Sequence, residues 1–418
     1  MECTVNRVGE RFFNQLDRSG HWDREGDIEL FAGLGLRTLR FPMLWELLAP
    51  RSLEEIDWSW ADARLARMQE LGIRPIAGLL HHGSGPRYTD LLDPEFPQKF
   101  ARYAGSVAKR YPWIDTYTPI NEPLTTARFS ALYGHWHPHQ RDDLSFARAF
   151  LAQGRATVLA MRAIREVNPR AQLIQTEDFG KTFSTRLLGY QARFENDRRW
   201  ITWDLLSGLV DRPHPMWSYL RWAGIEEPDI EIFRREPCPP DILGVNHYVT
   251  SERFLDENIA AHPAETWGGN GRHRYADVAA VRSEATEIAG AKNLLLEIWQ
   301  RYGRTIAVTE AHLGCTIDEQ LRWFMEIWQA ATDARAEGAD IAAVTSWALL
   351  GSFDWNSLLT REENYYEAGA FDVFDGDPRP TLIADMIRGL AAGNGFDHPC
   401  LCEPGWWRSE SRVERRCA

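Results

Sequence analysis

The chain alternates short runs of apolar or β-branched residues with longer stretches of helical period, and this alternation narrows the possible folds more than any other feature. Eight runs are predicted as strands, at residues 3–8, 37–44, 74–80, 116–120, 172–176, 241–248, 305–309 and 341–349. Strands that alternate with helices are typical of βα units, whose strands align in a parallel sheet.

Helices are predicted between these strands, at residues 23–34, 60–71, 97–110, 144–167, 285–301, 318–337 and 381–391. Gly72, Gly303 and Gly338 follow three of them and suit the left-handed residue that often ends a helix. The helix of the fifth unit is the least clear. Eight repeats of strand and helix predict an α/β fold of the (β/α)8 TIM-barrel class, as a single domain over residues 1–393 with long βα loops.

A doubly wound sheet is the alternative, but no GxGxxG or Walker sequence follows any of the strands, and such a sheet usually carries one. Two stretches fall outside the repeat. Residues 260–277 are rich in glycine and are predicted as a long loop after the sixth strand. Residues 394–418 have no clear period and are interpreted as a C-terminal tail or linker remnant.

Composition excludes several classes of protein. Of the 418 residues, 44% are apolar and 26% are charged, which is the balance of a soluble globular protein. Lys and Arg number 47 against 60 Asp and Glu, so the net charge of -13 repels a nucleic-acid backbone. No apolar run reaches the roughly 18 residues of a membrane span, and the first residues lack a signal-peptide layout, so we expect a cytoplasmic protein without membrane contact. The six cysteines include no CxxC pair and are expected to be free thiols.

Polar side chains recur at the ends of the predicted strands. They are Arg40, His81, His82, Asn121, Glu122, Asn246, His247, Tyr248, Thr309, Glu310, Trp347, Asp354 and Trp355. The active site of a TIM barrel is built at the C-terminal ends of its strands. An apolar core does not tolerate such groups without partners, so their recurrence at one end of several strands predicts an active site there.

Two carboxylates, Glu122 and Glu310, end the fourth and seventh predicted strands. Such a pair suits glycoside hydrolysis, in which one carboxyl protonates the leaving oxygen and the other attacks the anomeric carbon. We expect Arg40 to keep one carboxylate ionised, while apolar surroundings keep the other protonated near neutral pH.

Five segments carry motifs that occur together in one family. "TPINEP" is similar to T-x-N-E-P, "IAVTEAHLG" to I-T-E-N-G, "LRFPMLWELLAP" to R-F-S-I-S-W-x-R-I-x-P, "ILGVNHYVTS" to L-G-I-N-Y-Y-T, and "VTSWALLGSFDW" to W-S-L-L-D-N-F-E-W. In this order, from about residue 3 to about residue 390, the chain resembles glycoside hydrolase family 1, which contains retaining β-glucosidases and β-galactosidases.

The resemblance implies that Glu122 is the general acid/base and Glu310 the nucleophile. It implies that Arg40 and Tyr248 orient and stabilise the nucleophile. Asn246, one of the polar residues of the sixth strand together with Tyr248, is predicted as a substrate contact. No metal or organic cofactor is expected for this chemistry.

The remaining implied contacts are to the sugar. Asn121 would bind the 2-hydroxyl and His82 the 3-hydroxyl, whereas Trp347 would form the platform under the ring. Asp354 and Trp355 would bind the far hydroxyls.

The chain departs from the family pattern beside the expected sugar site. Asn6, which is predicted to contact the substrate, stands where the family has a sugar-binding Gln on the first strand, and Gly83 follows His82 where the family has Trp. Asp354 is one methylene shorter than the usual Glu, and His312 lies in the segment that is Asn-Gly in the family. The motifs therefore still predict the type of reaction, but these departures mean that they do not predict which sugar is bound.

Two further polar segments are given modest roles. The three histidines of "HWHPH", residues 135–139, raise the question of zinc, but Pro138 favours a loop, which is interpreted as solvated or as part of a substrate subsite. Glu177 and Asp178, after the fifth strand, are interpreted as supporting or aglycone contacts at most.

The resulting hypothesis is a retaining exo-β-glycosidase that hydrolyses a small-molecule β-linked glycoside through a covalent glycosyl-enzyme. One alternative is a transglycosidase that passes the sugar to a metabolite. Another is a catalytically idle barrel that only binds sugar. The sequence does not predict the oligomeric state.

Overall fold

The computed structural model describes residues 3–286 and 288–409, which form two compact units. Unit 1 consists of the described residues of Met1–Glu177, Thr202–Leu243 and Trp347–Phe396. Unit 2 consists of those of Asp178–Ile201, Gly244–Ser346 and Asp397–Ala418.

The strands are, in chain order, β1 (Val5–Val8), β2 (Arg11–Asn14), β3 (Thr38–Pro42), β4 (Arg74–His81), β5 (Thr116–Asn121), β6 (Gln172–Asp178), β7 (Thr182–Ser184), β8 (Ile242–Tyr248), β9 (Arg253–Asp256), β10 (Trp267–Gly269), β11 (Arg274–Ala279), β12 (Ile306–His312), β13 (Ile341–Ser346), β14 (Ser352–Phe353), β15 (Tyr366–Glu367), β16 (Phe371–Asp372) and β17 (Arg379–Pro380).

The helices are α1 (Gln15–Arg18), α2 (Asp27–Ala32), α3 (Trp45–Leu48), α4 (Ser59–Glu70), α5 (Phe96–Arg110), α6 (Pro123–Ala127), α7 (Asp143–Val167), α8 (Gly189–Arg198), α9 (Ile201–Leu206), α10 (Pro215–Trp222), α11 (Glu227–Arg235), α12 (Gly290–Tyr302), α13 (Ile317–Ala336) and α14 (Leu382–Ala391). A π-helical turn, Arg128–Leu132, continues α6.

Unit 1 contains four neighbouring parallel strands, β3, β4, β5 and β6. Their register pairs Arg40 with Ile76, and Ala77 with Tyr117. Parallel strands with helices on their faces are apolar along most of their length, and β4 and β5 are accordingly buried over most of their residues. Helices α5 and α7 pack against each other beside these strands. The ends of β3, β4 and β5 therefore lie at one edge of the sheet, which places their last side chains close together.

In unit 2, strands β12 and β13 pair in parallel, with Ile306 opposite Ile341. A second sheet has the strand order β10, β11, β9, β7. The prediction of a loop over residues 260–277 is corrected here, because β10 and β11 form a hairpin within it. Gly271, with a φ of 79°, supplies the left-handed residue that the tight turn between them needs.

The first predicted strand differs from the other seven in its partner. It is present as β1, but β1 pairs antiparallel with β2, with Val5 opposite Asn14. The turn between them contains Gly9, whose φ of 57° allows the chain to reverse within two residues. Asn6 thus lies on a hairpin of unit 1.

The C-terminal segment of the described chain is packed rather than extended. Trp406 and Trp407 are buried in unit 2, and the Trp407 Nε1 donates a hydrogen bond to Glu326 at 2.8 Å. Residues 410–418 of the predicted tail lie outside the described residues, and the boundary at residue 393 stays a prediction. In the part of the chain that the structure describes, no helix is long and apolar enough to cross a membrane.

Candidate active site

Asn121, the last residue of β5, is the centre of a buried polar cluster in unit 1. Its Oδ1 accepts hydrogen bonds from Arg40 Nη2 at 2.7 Å and from Thr176 Oγ1 at 2.8 Å. Its Nδ2 lies 3.2 Å from His81 Nε2 and 3.4 Å from His82 Nε2. These bonds fix the amide orientation, because both of its ends face defined partners.

Both histidines of this cluster are neutral. Burial lowers the pKa of His82 to about 3, with the Arg40 charge adding to the effect, and burial places the pKa of His81 well below its ordinary value. A neutral imidazole accepts at one nitrogen and donates at the other. Since His82 Nε2 accepts from Asn121, its Nδ1 carries the proton and donates to Thr126 Oγ1 at 3.0 Å.

Glu122 follows Asn121 directly and has a left-handed backbone, with a φ of 44°. Its carboxylate is 4% exposed, and its Oε2 lies 3.9 Å from His82 Nε2. A non-glycine residue with positive φ is uncommon and persists where its surroundings hold it. The Glu122 side chain is therefore presented by a fixed turn rather than by a flexible loop.

Glu177 holds the segment after Glu122. Its Oε1 accepts hydrogen bonds from the Leu124 amide at 2.9 Å and from Thr202 Oγ1 at 2.6 Å. Pro123 begins α6 without a backbone donor, so the Leu124 amide is among the first donors of the helix that need an acceptor. Glu177 was expected to be a supporting or aglycone contact, and the structure shows it bonded to the backbone beside Glu122.

Trp347, Trp355 and His82 form an aromatic group in unit 1. The ring centroids of Trp347 and Trp355 are 6.2 Å apart, and those of Trp355 and His82 are 5.7 Å apart. Trp136, which the sequence did not single out, lies 5.3 Å from His82. Aromatic faces of this kind suit contact with the apolar face of a sugar ring.

Asp354 is buried and its carboxylate is engaged by its own loop. Its Oδ1 accepts from the Glu363 and Tyr365 amides, both at 3.0 Å. Its Oδ2 lies 3.4 Å from Arg18 Nη1. The carboxylate thus orders the loop over residues 354–365. A sugar hydroxyl at the predicted contact would bind a carboxylate that already accepts hydrogen bonds from this loop.

Asn6 is fully buried on β1, and neither atom of its amide has a hydrogen-bond partner among the described residues. An unpaired buried amide is costly, so such a group is commonly satisfied by a ligand or by water. The observation is in keeping with the predicted role of Asn6 in substrate binding.

The other group of predicted residues lies in unit 2. The Tyr248 hydroxyl donates a short hydrogen bond to Glu310 Oε2. Thr309 Oγ1 donates to Asn246 Oδ1 at 2.7 Å, which links the ends of β12 and β8. Glu310 is 2% exposed. The phenol of Tyr248 holds this buried carboxylate in one orientation.

Two histidines of the "HWHPH" segment, His137 and His139, contact other residues of the protein. His139 Nε2 accepts from the Gly9 amide at 2.8 Å, and His137 Nε2 lies 3.8 Å from Asp90 Oδ2. Within residues 3–286 and 288–409, no group of three His, Cys, Asp or Glu side chains is placed to hold a metal ion.

One buried acid was missed at the sequence level. Glu46 lies in α3 and its Oε1 accepts from the Gly85 amide at 3.1 Å, beside the turn that follows His82. The only signal in the sequence is an acid inside the apolar run Leu44–Leu48. The same run fits an amphipathic helix, so the position of the acid was not informative on its own.

Comparison with known proteins agrees with this description. The model of the family described as "Glycosyl hydrolase family 1" matches residues 19–362. Beta-glucosidase 4 of Oryza sativa is 25% identical over 382 residues, which cover 80% of this chain and 77% of that protein. The 6-phospho-beta-glucosidase of Clostridium longisporum is 26% identical over 386 residues, with coverage of 80% and 76%.

Solved structures show the same fold. The family 1 β-glucosidase of Thermotoga maritima superposes with a TM-score of 0.74 at 17% identity, over 91% of this chain and 88% of that one. Its complex with cyclophellitol gives a TM-score of 0.73 at 18% identity with the same coverage. The chain therefore belongs to glycosyl hydrolase family 1, and it is a glycoside hydrolase built on the (β/α)8 barrel.

Proposed function

We propose that this protein is a retaining exo-β-glycosidase. Glu310 attacks the anomeric carbon and displaces the aglycone oxygen, which takes the proton of Glu122. Glu122, now a carboxylate, removes a proton from water, and the resulting hydroxyl displaces Glu310 and releases the sugar. The observation that carries the proposal is that both motif acids of family 1 are present, each buried at a strand end.

The surroundings of Glu310 suit a nucleophile. The Tyr248 hydroxyl donates to its Oε2, so the carboxylate does not rotate freely. Holding a nucleophile in one orientation lowers the entropic part of the barrier. In this proposal Tyr248 acts by orienting Glu310, in keeping with the family resemblance.

The surroundings of Glu122 suit an acid that must first hold its proton. The imidazole of His82 is kept neutral by burial, so it adds no positive charge 3.9 Å from the carboxyl. The turn around Glu122 is braced by the bond of Glu177 to the Leu124 amide. Both features favour proton delivery from one fixed position.

The substrate roles are proposed from the same residues. Asn121 and His82 are oriented by their mutual contact and by Arg40 and Thr126, which prepares them to bind adjacent hydroxyls. Trp347 forms the platform of the ring. The names of the relatives favour a β-glucoside, whereas the departures at Asn6 and Gly83 favour testing other sugars alongside it.

The test is covalent labelling with a panel of activated 2-fluoro glycosides, including gluco, galacto, fuco and xylo forms. We expect one adduct, located by peptide mass spectrometry on Glu310. The Glu310→Gln variant should lose turnover of aryl glycosides, whereas Glu70→Gln, which changes an exposed acid of α4, should not. An adduct on another residue would contradict the assignment.

The role of Glu122 has its own test. In Glu122→Ala, cleavage of substrates with poor leaving groups should fall far more than cleavage of those with good ones. Azide should restore turnover, because it displaces Glu310 from the anomeric carbon in place of water and needs no general base. Sugar binding measured by calorimetry without turnover of any aryl glycoside would instead support the catalytically idle barrel.

A further inference from the structure

Glu46 is a buried acid in unit 1 that the proposed reaction does not use. Glu46 as a whole is 6% exposed to solvent. Its Oε1 accepts one hydrogen bond, from the Gly85 amide, and its Oε2 has no partner among the described residues. No lysine, arginine or histidine of the described chain pairs with it. A carboxylate with so few partners is strongly disfavoured in a buried site, whereas the neutral acid is not.

The titratable groups that face Glu46 are two phenols, which give it no compensating charge. They are Tyr88, on the loop after β4, and Tyr103, on α5. Tyr88 donates to the Ala49 carbonyl at 3.0 Å, and Tyr103 donates to the Met43 carbonyl at 2.7 Å. Both hydroxyl protons are therefore directed at other acceptors. Burial raises the pKa of Glu46 to about 8, so the group is neutral at pH 7.

The carboxyl of Glu46 fills the space that a side chain at position 83 would need. A Cβ placed on Gly83 would lie 1.9 Å from Glu46 Oε1 and 2.8 Å from the Val5 carbonyl oxygen. Position 83 therefore has to be glycine as long as the Glu46 carboxyl fills the space beside it. The family resemblance places a tryptophan here, so the chain has exchanged a large side chain for an acid that reaches in from α3.

The residue before Gly83 is His82, which has a left-handed backbone. His82 has a φ of 56° and Gly85 has a φ of 83°, so two left-handed residues bracket this short turn. A left-handed histidine is uncommon and needs surroundings that hold it. Glu46 meets the turn at two points, by packing on Gly83 and by accepting from the Gly85 amide.

The position of His82 matters because its ring lies close to Glu122. His82 Nε2 lies 3.4 Å from Asn121 Nδ2 and 3.9 Å from Glu122 Oε2. Its Nδ1 is 3.0 Å from Thr126 Oγ1. A rotation of the turn at residues 82–85 would move the ring away from all three partners.

We infer that Glu46 is a positioning residue, whose neutral carboxyl holds the turn at residues 82–85 and thereby places His82 for the sugar and beside Glu122. This inference rests on the proposed function. Its consequence is that loss of the Glu46 proton drives the carboxylate toward water, loosens the turn and lowers activity at alkaline pH.

The test is the pH dependence of kcat/KM for the wild type, Glu46→Gln and Glu46→Ala. The substrate is a dinitrophenyl glycoside, whose leaving group needs no proton, so that titration of Glu122 does not hide the effect. The wild type should lose activity above about pH 8, the value to which burial raises the pKa of Glu46. Glu46→Gln keeps the shape and the acceptor for Gly85, so it should retain most activity at pH 7 and lack this alkaline loss.

Glu46→Ala should lower kcat/KM about tenfold to hundredfold at pH 7, where the wild-type acid is neutral, because a displaced contact group costs that much. The matched control is Glu55→Gln, which changes an exposed acid paired with Arg51 and should keep the wild-type profile. The same alkaline loss in Glu46→Gln and wild type would overturn the inference, as would a Glu46→Ala variant with wild-type kcat/KM.

A measurement without substrate covers the case in which Glu46→Ala fails to fold. The infrared spectrum of the wild type at pH 7 should contain a carboxylic-acid C=O band that disappears in Glu46→Gln and persists in Glu55→Gln. Absence of that difference would overturn the neutral acid. Failure of the proposed function looks different, since the wild type itself would then turn over none of the aryl glycosides.

Discussion

Glu46 should also make the stability of the folded protein depend on pH, whether or not a substrate is known. In the folded protein burial raises the pKa of Glu46 from its ordinary value of 4.5 to about 8. In the unfolded chain the same side chain is in water and titrates near its ordinary value. Between these two pH values the unfolded state has released a proton that the folded state retains, so rising pH favours unfolding.

The size of this effect follows from the two pKa values. One pKa unit corresponds to about 1.4 kcal/mol, and the interval spans about 3.5 units, so the wild type should lose up to roughly 5 kcal/mol of its free energy of unfolding between about pH 4.5 and about pH 8. The contribution is fully present below pH 4.5 and is lost by the time the pH has risen through the folded pKa. The free energy of unfolding should therefore change most steeply with pH between these two values.

Glu46→Gln removes the titrating proton and keeps the shape of the side chain. Its carboxamide oxygen can still accept from the Gly85 amide, whereas its NH2 group is placed where Glu46 Oε2 has no partner among the described residues. The neutral wild-type acid already carries one O–H at that atom, so the additional N–H donor of the amide should destabilise the variant by at most about 1–3 kcal/mol. This cost does not change with pH, so the slope separates it from the effect of the proton.

The measurement is urea unfolding of the wild type, Glu46→Gln and the exposed control Glu55→Gln, at intervals from about pH 5 to about pH 8. The free energy of unfolding of the wild type, taken relative to Glu46→Gln, should fall by about 1.4 kcal/mol for each pH unit across most of this range. Glu55→Gln should parallel the wild type. A difference between wild type and Glu46→Gln that is the same at every pH would refute the buried neutral acid.

Three further outcomes are expected. Tyr248→Phe removes the hydroxyl that donates to Glu310. Because a hydrogen bond to a charged group contributes about 1.5–3 kcal/mol, kcat/KM should fall about tenfold to hundredfold while the circular dichroism spectrum stays unchanged. Unchanged kinetics would contradict the orienting role of Tyr248. Glu177→Ala leaves the Leu124 amide without this acceptor, so both the free energy of unfolding, by about 1–3 kcal/mol, and kcat/KM should fall. A loss of stability with an unchanged kcat/KM would show that Glu177 does not position Glu122. Trp407→Ala should destabilise the protein by about 3–5 kcal/mol in thermal or urea unfolding, and a negligible change would show that the C-terminal segment is dispensable.

The parallel strands could be predicted closely because their signal is local. The predicted strand at residues 74–80 is observed as Arg74–His81, and the one at 116–120 as Thr116–Asn121. Each is an apolar run whose end is marked by a polar residue, and that pattern follows from burial of the sheet and from the polar cluster that its last residues form. For the same reason the candidate site residues at the strand ends could be named from the sequence.

The parts that could not be predicted depend on contacts between residues far apart in the chain. The partner of β1 is set by a turn at Gly9, and a strand pattern does not say whether its neighbour is parallel or antiparallel. The bond between Glu177 and Thr202 joins β6 to α9 across 25 residues. Burial of Trp406 likewise depends on packing in unit 2 that no local period reveals.

Two of the departures from the family pattern in unit 1, Asn6 and Gly83, are connected through β1, which changes how they should be interpreted. A Cβ at Gly83 would meet the Glu46 carboxyl at 1.9 Å, so the acid at position 46 requires glycine at position 83. Removing the carboxyl would still leave the Val5 carbonyl oxygen at 2.8 Å, closer than a Cβ tolerates, so the backbone of β1 must also differ wherever a larger residue occupies position 83. Asn6 follows Val5 on that strand, and its position is tied to the same constraint. The departures at Asn6 and Gly83 are therefore coupled, and restoring the family's Gln at position 6 or its Trp at position 83 alone should not restore the sugar preference of the family.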